Sequence, residues 1–131
     1  MHVEKYTKNF NRDEKKVIAI DFDGVIHDNN KGYHDGTIYG EPISGAVQSI
    51  KELSGMGFII KVFTCKCHPG RPLVNKKTGT DLVIEWLEEH ALLEYIEEVV
   101  WGKPHAAVYI DDKGYRFENW QNTMKFVEAI K

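Results

Sequence analysis

The chain has 131 residues, a net charge of −3 and 42% hydrophobic residues. That is one domain's length, enough for a proper core, with no global charge to draw it to nucleic acid or an anionic membrane. The two cysteines, Cys65 and Cys67, are one residue apart; this excludes a disulfide framework and fits a reducing cytoplasm. No apolar stretch approaches the roughly 20 residues of a bilayer span, and the mixed-charge N-terminus does not read as a signal peptide.

Residues 1–15, rich in Lys, Asn and Glu, read as a surface arm, with Tyr6 and Phe10 as its tucked-down contacts; one domain follows over 16–131. Residues 16–22 read as the first strand. Its apolar stretch, Val17 to Ile20, is β-branched or small throughout, as in a strand buried on both faces. It drives into Asp21 and Asp23, and Gly24 permits the sharp turn after them. Residues 25–41 alternate weakly around an Asn-Asn-Lys-Gly turn signal, which predicts a β-hairpin flap over the strand end.

The spacing of Ile43, Ala46, Val47, Ile50 and Leu53 predicts a helix over 43–56, stopped by Gly55 and Gly57. A second buried strand over 58–64 ends in Thr64. A loop rich in Pro, Gly and Lys covers 65–79. Thr80 or Asp81 is expected to cap a helix reaching position 90, with Leu82, Val83, Trp86 and Leu87 inward. Strands are expected at 96–101 and 106–110, and a last helix at 118–130 carries Trp120, Met124, Val127 and Ile130. Tyr115, Arg116 and Trp120 read as anchors of that helix, and Trp86 and Trp101 as core or half-buried.

Strands alternating with helices predict an α/β fold, a doubly wound parallel sheet with helices on both faces. Strand ends then collect on one edge, where such sheets bind ligands. That edge receives Asp21 and Asp23, then Thr64, then Lys103, then Asp111 and Asp112. Clustered carboxylates repel unless a cation lies among them. Oxygen donors without a His/Cys set suit Mg2+ better than Zn2+. Lys103 and Thr64 suit phosphate oxygens. An Asp can attack phosphorus, and a second carboxyl can protonate the leaving oxygen and then activate water. The rim reads as a metal-dependent phosphoryl-transfer site.

Asp21-Phe-Asp-Gly-Val, the apolar strand ending in Thr64, Lys103, and the apolar strand ending in Asp111-Asp112 resemble, in order, the four motifs of the haloacid dehalogenase (HAD) superfamily. The resemblance spans roughly 17–116. Thr64-Cys-Lys and Lys103-Pro-His-Ala look more narrowly like small HAD-like hydrolases of bacteria and phages. It implies a HAD-like, Rossmannoid fold and a Mg2+-dependent phosphomonoester hydrolase acting through an aspartyl-phosphate. Asp21 would be nucleophile and metal ligand. Asp23 would be general acid/base, with its backbone carbonyl on the metal. Thr64 would bind the transferring phosphoryl group, joined by the Cys65 backbone N–H. Lys103 would stabilise Asp21 and the phosphoryl charge, and Asp111 and Asp112 would complete the metal site. An Asp at position 23 points to phosphatase rather than haloacid chemistry.

The connections at 25–41 and after Thr64 leave no room for a cap domain. In this family that implies large phosphorylated substrates, such as nucleic-acid ends or proteins, or closure of the site by another copy in a homo-oligomer. From Leu53 to Thr80 there is no acidic residue, but Lys61, Lys66, Arg71, Lys76 and Lys77 are present. This basic lip would steer a polyanionic substrate, with Lys66 and Arg71 nearest the phosphate. Cys65, Cys67 and His68 lack zinc spacing and a second cluster. His27 and His34 read as surface residues of the flap. The alternative is a catalytically silent HAD-like binding or regulatory domain. A phospho-accepting receiver domain also uses acids, a Thr and a Lys, but carries its acceptor Asp on the middle strand, where this chain has Thr64.

Overall fold

The computed structural model describes residues 6–7, 16–32 and 35–131. The chain runs β1 (Tyr6–Thr7), β2 (Val17–Asp21), α1 (Ala46–Gly55), β3 (Ile59–Phe63), α2 (Gly79–Glu89), β4 (Ile96–Val100), β5 (Val108–Ile110) and α3 (Trp120–Ile130). Single 3-10 turns occupy Cys65–Cys67 and Leu93–Tyr95. The expected contacts of Tyr6 and Phe10 lie outside the described residues, as does His34. Tyr6–Thr7 pair antiparallel with β4 and extend the sheet edge.

The sheet order is β1-β4-β3-β2-β5, and β4, β3, β2 and β5 are mutually parallel. The chain steps outward from β2 to β3 to β4, then returns to add β5 on the other side of β2. The strand order therefore reverses at β2, and its carboxyl end is a topological switch point, where a crevice opens between diverging connections. Asp21 is the last residue of that strand.

Alternation along the strands divides the core. Ile18, Ile20, Ile60, Val62, Ile96 and Val99 face one side, covered by Ile50 of α1 and by Val83, Trp86 and Leu87 of α2. Ala19, Phe63 and Val100 form a smaller cluster with Ala106. The expectation of helices over both faces is met for one face by α1 and α2; no residue of α3 is buried, and Trp120 is 70% exposed. Tyr115 does reach α3, its ring 4.7 Å from that of Phe126. Trp101 is exposed rather than core. No helix among the described residues is long and apolar enough to cross a membrane.

Boundaries moved for local reasons. Gly45 has φ 88°, outside the helical range, so α1 starts at Ala46 instead of 43. Ile43 is held outside by its N–H bond to the Ile26 carbonyl, 2.8 Å. Thr78, not Thr80 or Asp81, caps α2. Its Oγ1 accepts from the Asp81 N–H at 3.0 Å, and Asp81 Oδ2 accepts from the Thr78 N–H at 2.8 Å, a reciprocal capping box. Residues 25–41 form no strand pair among the described residues. The hairpin is reduced to isolated bridges at its base, where Asp28 N–H donates to the Glu41 carbonyl at 2.9 Å.

Candidate active site at the carboxyl edge of the sheet

The register sets the site. Ile20 of β2 lies beside Ile110 of β5, so the next residues, Asp21 and Asp111, emerge together. Asp21 lies beside Phe63 of β3, and Thr64 follows. Asp21, Asp111 and Asp112 each present an oxygen, and these oxygens lie within 4.8 Å of one another. Two glycine-bearing turns permit this. Gly24 has φ +85°, and a Cβ there would collide with Asp112 Oδ2. Asp111 Oδ1 accepts from the N–H groups of Lys113 at 2.8 Å and Gly114 at 3.1 Å.

Electrostatics separates these acids. Burial, reinforced by the charges of Asp111, Asp112 and Asp23, pushes Asp21 from 3.8 up to about 6, against the Phe22 N–H bond that favours its ionised form. Asp111 is held below the ordinary carboxylate value by the backbone N–H of Lys113 first, then by Gly114 and the Lys103 charge. Three like-charged oxygen donors with one unwilling to ionise form a set that a hard divalent cation would relieve.

Asp23 stands apart from that cluster: its carboxylate is not among the three gathered oxygens. It turns to His27, whose Nδ1 is 2.8 Å from Oδ1, and to Lys66, whose Nζ is 3.3 Å from Oδ2. Burial alone would raise its pKa, but the His27 hydrogen bond and the Lys66 charge outweigh it and hold Asp23 below the usual value.

Lys103 reaches the rim from the connection between β4 and β5. Tyr109 donates its O–H to the Pro104 carbonyl at 2.8 Å, tying that connection to β5. The Lys103 ammonium lies 3.8 Å from Asp111 Oδ2 and 5.1 Å from the Tyr109 ring centre. Thr64 is buried; its N–H bonds the Val100 carbonyl at 3.0 Å, and its Oγ1 accepts the Lys66 N–H at 3.2 Å. A Cβ on Gly79 would collide with the Lys66 carbonyl, so glycine lets the start of α2 press against this turn. Cys65 is exposed and Cys67 is buried, both as free thiols. Burial pushes the Cys67 thiol up to about 11, against a Thr80 hydrogen bond.

The basic lip is smaller than the sequence suggests. Lys61 is nearly buried on the sheet, paired with Glu98 at 3.1 Å. A bulge in β4 brings Glu98, not Glu97, opposite Lys61. Lys77 is taken by Glu85 at 2.6 Å, and Lys66 by Asp23. Exposed Arg71 lines a small hollow with Lys66, Val74 and Gly36.

His27 is the residue that sequence reasoning misplaced. It is 0% exposed, not a surface flap residue. Its ring stacks on Phe22 at 5.3 Å and meets the edges of Tyr39 and Trp86. The signal available was its position four residues after Asp23, within reach across a tight turn. Comparison with family models, with curated proteins and with solved structures finds no match to the chain.

Proposed function

We propose that the chain is a Mg2+-dependent phosphomonoester hydrolase with a HAD-like fold and no cap domain, acting through an aspartyl-phosphate on Asp21. The observation that carries this reading is the convergence of Asp21, Asp111 and Asp112 within 4.8 Å at the sheet's switch point. The donor chemistry fits the cation: three carboxylates and no sulfur or nitrogen ligand in the cluster. Asp21, Asp111 and Asp112 would hold it, joined by the Asp23 backbone carbonyl as the family resemblance implies. When bound, Mg2+ supplies charge neutralisation to the carboxylates and to the phosphoryl oxygens.

The chain's own residues divide the remaining work. An Asp21 oxygen attacks phosphorus, the ester P–O bond breaks, and the leaving oxygen takes a proton from Asp23. Asp23, now a carboxylate, takes a proton from water as that water attacks the same phosphorus. The Asp21–phosphorus linkage breaks and inorganic phosphate departs. Asp23 rests ionised, so it must be charged with a proton for the first step. A phosphate dianion beside Lys66 promotes this, because it competes for the ammonium and adds negative charge. Lys103, the Thr64 O–H and the Cys65 N–H would receive the phosphoryl oxygens, with Lys66 and Arg71 on the substrate side.

The test is phosphate release with and without Mg2+, wild type beside Asp21→Asn. The panel comprises p-nitrophenyl phosphate, nucleotides, sugar phosphates, and oligonucleotides phosphorylated at either end. Mg2+-dependent turnover that Asp21→Asn abolishes supports the reading. Binding of Mg2+ without turnover on any class favours a silent binding or regulatory domain, or a substrate outside the panel.

A further inference from the structure

The hydrogen bonds around His27 fix which of its nitrogens carries the proton. Nε2 lies 2.9 Å from the backbone nitrogen of Gly40. A backbone N–H can only donate, so Nε2 accepts and carries no proton. The ring proton is therefore on Nδ1, pointing along the 2.8 Å contact to Asp23 Oδ1. Gly40 is itself held: its carbonyl accepts from Trp86 Nε1 at 3.0 Å, and a Cβ at this position would collide with the Asp28 carbonyl. A chain of hydrogen bonds thus runs from α2 through Gly40 and His27 to the Asp23 carboxylate. The ring has little freedom to leave it, packed between Phe22, Tyr39 and Trp86 and sealed from solvent.

We propose that His27 is the positioning residue for Asp23: its Nδ1–H, locked by the Gly40 N–H on Nε2, aims the carboxyl group that serves the leaving oxygen. This rests on the phosphatase reading above. His27 exchanges no proton with substrate and touches none. It holds one carboxyl oxygen so that the other, now shared with Lys66, faces the reaction.

The two amide variants separate the two bonds. His27→Gln places an acceptor near Gly40 and removes the donor to Asp23. His27→Asn keeps a donor near Asp23 and loses the Gly40 partner. The readout is single-turnover release of the leaving group, with Mg2+, from p-nitrophenyl phosphate and from an alkyl phosphate. A nitrophenolate leaves with little help, whereas an alkoxide needs the proton. The ratio of alkyl to nitrophenyl rates should fall on the order of 30-fold in His27→Gln, the scale of a misaligned general acid. His27→Asn should restore most of that ratio, and it carries the test if His27→Gln does not fold. Equal losses on both substrates, or no difference between the two variants, would overturn the positioning role alone. Nitrogen NMR of the imidazole should show the proton on Nδ1; finding it on Nε2 overturns the lock. A wild-type chain inert on both phosphates and on every class of the wider panel, with Mg2+ bound, overturns the phosphatase reading, and this proposal with it.

Discussion

Asp21→Asn should make the metal-free chain more stable while abolishing the proposed phosphatase activity. In the folded chain Asp21 titrates at about 6 instead of 3.8, through burial first and the neighbouring carboxylates second. The folded state therefore holds a proton that the unfolded state releases between those two values. Below about pH 4 the group is neutral in both states and costs nothing. As pH rises through 6 the folded chain must carry an ill-placed charge, and the penalty is complete above about pH 7. A shift of about two units corresponds to roughly 3 kcal/mol at 1.36 kcal/mol per unit. Asp21 is half-buried, so solvent screening cuts this by about half, to roughly 1.5 kcal/mol. For a chain of this length that is a rise in Tm of about 5 °C. The amide oxygen of Asn can still accept the Phe22 N–H that Asp21 Oδ1 accepts at 2.9 Å. The assay is urea or thermal unfolding in EDTA at pH 7.5 and at pH 4. The variant should gain stability at pH 7.5, and the gain should vanish at pH 4. A variant equally or less stable at pH 7.5, or a gain independent of pH, would refute the electrostatic reasoning.

On the proposed phosphatase reading, Lys103→Ala should lower kcat about 100-fold, the scale of a lost phosphoryl-charge stabiliser. It should shift Tm by no more than about 2 °C, because the ammonium is largely exposed and only 3.8 Å from Asp111. Gly24→Ala, with φ +85° and Asp112 Oδ2 in the way, should cost about 1 kcal/mol or more in urea unfolding. On the proposed metal-site reading, calorimetric titration should also show Mg2+ affinity weakened about tenfold or more, through the displaced Asp112. Thr78→Ala should cost about 1 kcal/mol by the same urea assay, as the capping box is lost. The double change Arg71→Ala, Lys76→Ala should raise KM for a phosphorylated oligonucleotide several-fold more than for p-nitrophenyl phosphate, with the gap closing at high salt. Equal KM effects on both substrates would leave the lip no part in steering.

Much of the architecture was legible because its causes are local. Val17–Ile20 reads as a strand buried on both faces and Gly24 as permitting the turn after it, and the structure has both. The order of Asp21, Thr64, Lys103 and Asp111 along alternating elements sufficed to place them on one edge. The cap of α2 was missed by two residues because Thr78, Thr80 and Asp81 are all good capping types. Only the reciprocal bonds between Thr78 and Asp81 choose among them. The hairpin flap was over-read. Weak alternation sets no strand pairing, and among the described residues the connection is held instead by the burial of Ile26 and His27, by its ends and by the Gly40 contacts.

The sequence alone determined the central strand, its terminal carboxylates and the segments that would meet them, since strand burial and turn chemistry are written in neighbouring residues. Tertiary structure decided which charges work together. Asp21 and Asp23 are two residues apart, yet the strand ends at Asp21 and the turn sends Asp23 to His27 and Lys66 while Asp21 joins Asp111 and Asp112. Lys61 is kept out of the basic lip by its place in β3, paired on the sheet with Glu98, and Glu85 of α2 takes Lys77. A buried histidine in a connection that reads as surface comes to lie against the Asp23 carboxylate, with Gly40 and Trp86 closing over it. Each of these outcomes depends on register and on contacts between segments far apart in the chain, and residue spacing carries no record of either.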